Sequence, residues 1–184
     1  MISDSIHIPI EKIAFDNQKL SNGIWLAVVH MDRIPPHIGI IFSGNYYSLT
    51  IKGKESKVDL TVLTKTIQQK KINSVFIKIK DHPVFSTEHI EDIFNEQLNE
   101  FDQVKQYRST CLSPIKKCFN EFYSMQSNEN ELFFEFMQKL NDNAFISVLM
   151  SMNNESTDGL ELPFYTQETL NQKIKNERKP YHND

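Results

Sequence analysis

Pro35-Pro36-His37-Ile38-Gly39-Ile40-Ile41-Phe42-Ser43-Gly44-Asn45-Tyr46-Tyr47-Ser48-Leu49-Thr50-Ile51 is the stretch that decides the fold. It reads as a strand, a tight turn and a second strand. Ser43-Gly44-Asn45 is turn chemistry, with β-branched and aromatic residues on both sides. His37 stands at the mouth of the first strand, directly after two prolines. Gly39 leaves one face of that strand open to close approach.

Upstream, Ile24-Trp25-Leu26-Ala27-Val28-Val29-His30-Met31 is a continuous apolar run and reads as a buried central strand. Ile6, Ile8 and Ile10 alternate with polar residues around Pro9 and suggest a short edge strand. Downstream of the hairpin, Gly53 reads as the end of the second strand. Leu60, Leu63 and Ile67 then recur at helical spacing, predicting a helix over about 59–71 capped by Asp59. Ser74–Lys80 alternates again, a strand with one wet face. Ser86 or Thr87 caps a second helix whose stripe is Ile90, Ile93, Phe94, Leu98 and Phe101. Ser113-Pro114 is a cap-plus-proline start for a third, with Ile115, Cys118, Phe119 and Phe122 on one face. A fourth, over about 129–141, carries Leu132, Phe133, Phe136 and Leu140. Ala144–Met152 reads as a last strand or a short helix.

Consecutive strands followed by helices define an α+β domain: an antiparallel sheet packed against three or four helices on one side. The domain is expected to span residues 1–152. Residues 153–184 are polar and read as a C-terminal tail or peripheral segment, docked locally by Leu160, Leu162 and Phe164.

Bulk composition narrows function by exclusion. Twenty Lys and Arg against 24 Asp and Glu give a formal charge of -4, which predicts no attraction to nucleic acid. The aromatic residues therefore read as core, not as a stacking surface. No apolar window is long enough for a membrane span, and no leader pattern opens the chain. Two cysteines fit a reducing, cytoplasmic setting. Cys111 and Cys118 are seven positions apart, roughly 10 Å along a helix, too far for a disulfide. Isolated glycines offer no phosphate cradle, so no nucleotide cofactor is expected. His30, Asp32 and His37 are of metal-binding type, but they flank a Pro-Pro turn without helical His spacing. They read as a turn and two strand ends, and no metal is expected.

What remains is a thiol and an imidazole. Cys111 precedes a helix start, where a thiol is readily ionised, and Arg108 adds local positive charge. His37 is the base such a nucleophile requires. Ser48 or Thr50, across the hairpin, would orient the ring. A histidine-x-glycine opening a strand, a Gly/Asn turn, a second strand, and a cysteine at a helix start 74 residues later resemble a known family. It is that of the circularly permuted papain-like cysteine hydrolases, including the lecithin:retinol acyltransferase group and the permuted NlpC-type peptidases. The resemblance covers roughly residues 24–125. It implies His37 as base, Cys111 as nucleophile, and hydrolysis or acyl transfer on an amide or ester of a small-molecule, lipid or peptide substrate. The alternative from the same residues is a non-catalytic module that keeps the fold and binds a ligand or a protein partner. In that case Cys111 is a small buried hydrophobe and His37 an ordinary strand-end residue.

Overall fold

The computed structural model describes residues 5–154 and 159–177. The chain forms β1 (Ser5–Ile8), β2 (Glu11–Lys12), α1 (Asn17–Leu20), β3 (Ile24–Val29), β4 (His37–Phe42), β5 (Asn45–Thr50) and β6 (Gly53–Asp59). There follow α2 (Leu60–Gln69), β7 (Ser74–Ile79), α3 (Thr87–Asn99), α4 (Ser113–Tyr123), α5 (Phe133–Asp142), β8 (Ile146–Met152), β9 (Leu160–Pro163) and α6 (Gln167–Glu177). The fold is α+β.

Seven strands make one sheet in the order β2-β8-β7-β3-β4-β5-β6. All neighbours are antiparallel except β2 and β8. The apolar run of β3 lies at the centre, between β4 and β7, and every residue of it is buried. The β4–β5 hairpin closes through Ser43 and Gly44, whose φ angles are both positive (45° and 89°). That pair gives the twist a two-residue hairpin needs, and only glycine adopts the second angle without strain. Phe42 opposite Asn45 and Gly39 opposite Ser48 fix the register.

Side-chain alternation divides the core in two. Ile24, Leu26, Val28, Ile38, Ile40 and Phe42 face one cluster, completed by α3, α4 and α5. Phe94 contacts Phe42 and Tyr47 there, with ring centroids 5.2 and 5.6 Å apart. Trp25, Ala27, Ile41 and Tyr46 face the other, covered by Leu20 of α1 and by Leu60 and Ile67 of α2. Helices thus lie on both faces of the sheet and not on one. The Leu60/Ile67 stripe says that α2 buries a face; it does not say which side of the sheet receives it. Both faces of β7 are covered for the same reason. Its Lys78 lies over Trp25, 5.8 Å from the ring centroid, and reaches Asp81 at 3.1 Å.

Two strands depart from expectation. Gly53 does not end the hairpin; it opens β6, which pairs with β5 from Thr50↔Gly53 to Asn45↔Asp59. Asp59 then caps α2 as expected, accepting the Thr61 N–H at 2.7 Å. The Ile6/Ile8 strand is present, but it pairs with β9 in a separate two-stranded sheet. Through β9 the C-terminal segment is built into the fold: Leu160 and Leu162 are buried, as is Ile174 of α6. Phe164 stays half-exposed against Phe134.

Candidate functional site

A cleft of about 670 Å³ opens at the N-terminal end of β4. His37, Thr50, Glu55 and Cys111 all line it, beneath a wall formed by Leu170 and Ile174 of α6. Its other walls are the turn after β3, including Ile34, Pro35 and Pro36, and the end of the hairpin.

Cys111 is carried by the loop between α3 and α4. That loop is fastened to β5 by Val104 N–H donating to the Thr50 carbonyl at 2.8 Å. Ser113 is the first residue of α4 and not its cap; Leu112 occupies the cap position without a side-chain bond, and Pro114 follows in the first turn. The Ser113 hydroxyl turns back to accept the Thr110 N–H at 2.8 Å, and Thr110 Oγ1 accepts the Leu112 N–H at 3.2 Å. This clamp holds Cys111 just outside the helix. Its sulfur lies against the backbone N–H groups of Ile38, Cys111 and Leu112. Those donors favour the thiolate, but burial outweighs them and pushes the thiol up from its ordinary value.

His37 approaches from the other side of the sheet. It shares the face of Gly39 and Ile41, whereas Cys111 packs on the α3–α5 side. The two reach one cleft because His37 is the first residue of its strand, with the Ile38 amide between them. Burial holds the imidazole below its ordinary value, followed by the Glu55 carboxylate, which opposes that shift, and by His30, which adds to it. Burial thus favours the neutral form of the His37 imidazole. Among the described residues no hydrogen bond joins its ring to Cys111, Ser48 or Thr50.

Neither hairpin hydroxyl orients His37. Thr50 Oγ1 is used in its own turn, donating to the Gly53 carbonyl at 3.0 Å and accepting the Lys52 N–H at 3.1 Å. Ser48 Oγ donates to Glu55 Oε2 at 2.5 Å, directly across the β5–β6 ladder. The acidic group facing His37 is thus Glu55, held in place by Ser48. It escapes a sequence reading because β6 is an exposed edge strand of polar residues, Lys54-Glu55-Ser56-Lys57, with no apolar alternation. The one available signal is the glycine at 53, whose φ of 137° turns the chain back along β5.

Gly39 has a specific role here. The Tyr46 ring, itself buried, lies across it: a Cβ at position 39 would come within 2.3 Å of Tyr46 Cε2. Gly39→Ala is expected to cost about 1–3 kcal/mol, because a packed ring must move. Urea denaturation checks this; an unchanged midpoint would show that Tyr46 has room to give.

Among the described residues no group of three or more His, Cys, Asp or Glu is placed to hold a metal ion. No helix among them is long and apolar enough to cross a membrane. Comparison with family models, with curated proteins and with solved structures finds no match to the chain.

Proposed function

We propose that the protein is a thiol-dependent hydrolase or acyltransferase of papain-like type, acting on an amide or ester through an acyl-Cys111 intermediate. The observation that carries this reading is the convergence of Cys111, His37 and Glu55, from three separate elements, on one accessible cleft. His37, whose neutral form burial favours, takes the proton from Cys111 Sγ as the sulfur bonds to the substrate's carbonyl carbon. Backbone N–H groups beside the sulfur stabilise the oxyanion. The same proton passes to the departing amine or alcohol. Water, or a second alcohol or amine, then attacks the thioester and regenerates the thiol. Glu55 steadies the imidazolium that forms between these steps.

The test is acylation by an activated ester, p-nitrophenyl acetate, followed by intact-mass measurement. One acetyl group per chain should appear on Cys111 and be absent from Cys111→Ala. His37→Ala should slow its formation by about 100-fold or more, the usual contribution of a positioned base. The rate should hold down to pH values below ~6.5, since the base is active only when neutral and burial lowers its pKa. Acetylation that ignores His37→Ala would remove the catalytic reading.

A second reading has its own support. The Cys111 thiol is raised and makes no bond to His37, which suits a binding module that has lost its ion pair. Iodoacetamide labelling of the free protein should be slow at pH 7 and rise only above the ~8.5 of an ordinary thiol. If no ester or amide then acylates Cys111, the cleft is a binding site only.

A further inference from the structure

We propose that a second, polar cleft on the far side of the Cys111-bearing loop binds an uncharged carbohydrate, stacked on Tyr107. This inference stands apart from the thiol chemistry and holds whether or not Cys111 reacts. The cleft measures about 590 Å³ and lies among the loop before α4, the α4–α5 connection and the first half of α6.

Its lining is unusual in kind. Tyr107 and Phe101 are its aromatic residues; nearly all the rest are amides, hydroxyls and charged groups. The amides are already held in place. Asn120 is pinned at both ends to the backbone of Ser127, by Nδ2–H to the carbonyl at 2.8 Å and by Oδ1 from the N–H at 2.7 Å. Gln167 donates to the Asn130 carbonyl at 2.5 Å, and Asn171 donates to the Gln167 carbonyl at 2.8 Å. Each of these amides keeps a second N–H and a second lone pair, so it can both donate to and accept from a vicinal diol without reorganising. Ser127 Oγ is buried beside them with no hydrogen-bond partner among the described residues, a polar group that a ligand would satisfy.

Charge argues against an anion. Lys116 is spent on the carbonyls of Asn128, Glu129 and Glu131 at 2.8–3.0 Å. Lys117 is paired with Glu100. What remains is Arg108 against Glu129 and Glu168, which is not a positive site. A neutral ligand rich in hydroxyls fits this balance.

Tyr107 supplies the platform. It is 77% exposed and sits in the left-handed region, φ 59°, at the tip of a turn closed by Lys105 and Ser109. The buried Asn171 side chain accepts its N–H at 2.9 Å and holds the turn in that shape. A bulky residue at positive φ is strained, and such strain concentrates where a side chain must be presented. An exposed aromatic face beside oriented amides matches the apolar face and hydroxyl rim of a pyranose.

The experiment is an amide-resolved NMR titration of the full chain with maltohexaose, cellohexaose and chitohexaose, with tri-alanine as the peptide control. At least one saccharide should shift the backbone resonances of residues 105–110 and the side-chain amides of Asn120 and Asn171. Tyr107→Phe should bind as the parent does. Tyr107→Gly should fold with an unchanged or raised melting temperature, because glycine relieves the positive φ, yet bind about tenfold more weakly. The proposal is overturned if no saccharide produces shifts at millimolar concentration. It is equally overturned if tri-alanine shifts these residues and the sugars do not, or if Tyr107→Gly binds as tightly as the parent.

Discussion

Lys116→Met should destabilise the protein by about 3–5 kcal/mol, although it removes no apolar contact. Lys116 is a residue of α4 and is 5% exposed. A lysine that buried must have every proton placed, and this one does: its ammonium donates to the carbonyls of Asn128, Glu129 and Glu131 at 2.8, 2.9 and 3.0 Å. Burial lowers its pKa, and Glu131 leads the carboxylates that oppose the shift. One side chain therefore gathers the second half of the connection from α4 to α5, while Asn120 holds Ser127 in the first half. Methionine keeps the length and the stem. It leaves three carbonyls without their donor, each costing roughly 1–3 kcal/mol if no water replaces it. The polar cleft beside Lys116 lets some water in, so the total falls short of the sum of three. Equilibrium denaturation in urea measures it, and a loss under 1 kcal/mol would mean that the connection is held by other contacts. Glu131 is also buried and paired with Lys139 at 2.5 Å. The Lys139 nitrogen is already engaged with the Glu131 carboxylate and the Gln126 carbonyl.

The parts of the fold legible in the sequence were those whose burial is written in residue type. β3, β4, β5 and β7 are runs of Ile, Val, Phe and Tyr, and α3, α4 and α5 carry apolar stripes that match their buried faces. The strand β6 was not legible. An edge strand needs backbone partners and little apolar surface, so Lys54–Lys57 carry no period to detect. The sidedness of α2 was hidden for a different reason, since a stripe encodes burial and not topology. At the candidate site, residue type and position single out His37 and Cys111, and both line one cleft. The carboxylate nearest in influence to His37 is not legible, because Ser48, the residue opposite Gly39, bonds across one more strand to Glu55. Nothing local to the hairpin encodes that step.

Leu162→Ala should cost about 2–5 kcal/mol, the effect of emptying a fully enclosed leucine position. Leu162 lies in the polar C-terminal segment that composition marks as peripheral, yet it is 0% exposed. The reason is pairing: Leu162 stands opposite Ile6 and Leu160 opposite Ile8, and the two-stranded sheet they form closes over the α5 side of the core. A chain with only two apolar residues in four can be central when both point the same way. The helix that follows repeats the pattern at lower density. Leu170 and Ile174 are four apart in a stretch of Lys, Gln and Asn; Ile174 is buried, and both line the cleft of His37 and Cys111. Removing residues from 166 onward should therefore do more than trim a tail. It takes away the Ile174 burial, worth roughly 1.5–3 kcal/mol before the ordering entropy of α6 is returned, and it uncovers the cleft. Thermal melts should place Leu162→Ala well below the parent and the 166 truncation between them. Iodoacetamide should label Cys111 faster in the truncated chain at every pH, because a wall over the thiol has gone. Equal labelling rates in the truncated and full chains would sink the assignment of α6 as that wall, whatever the melting temperatures show.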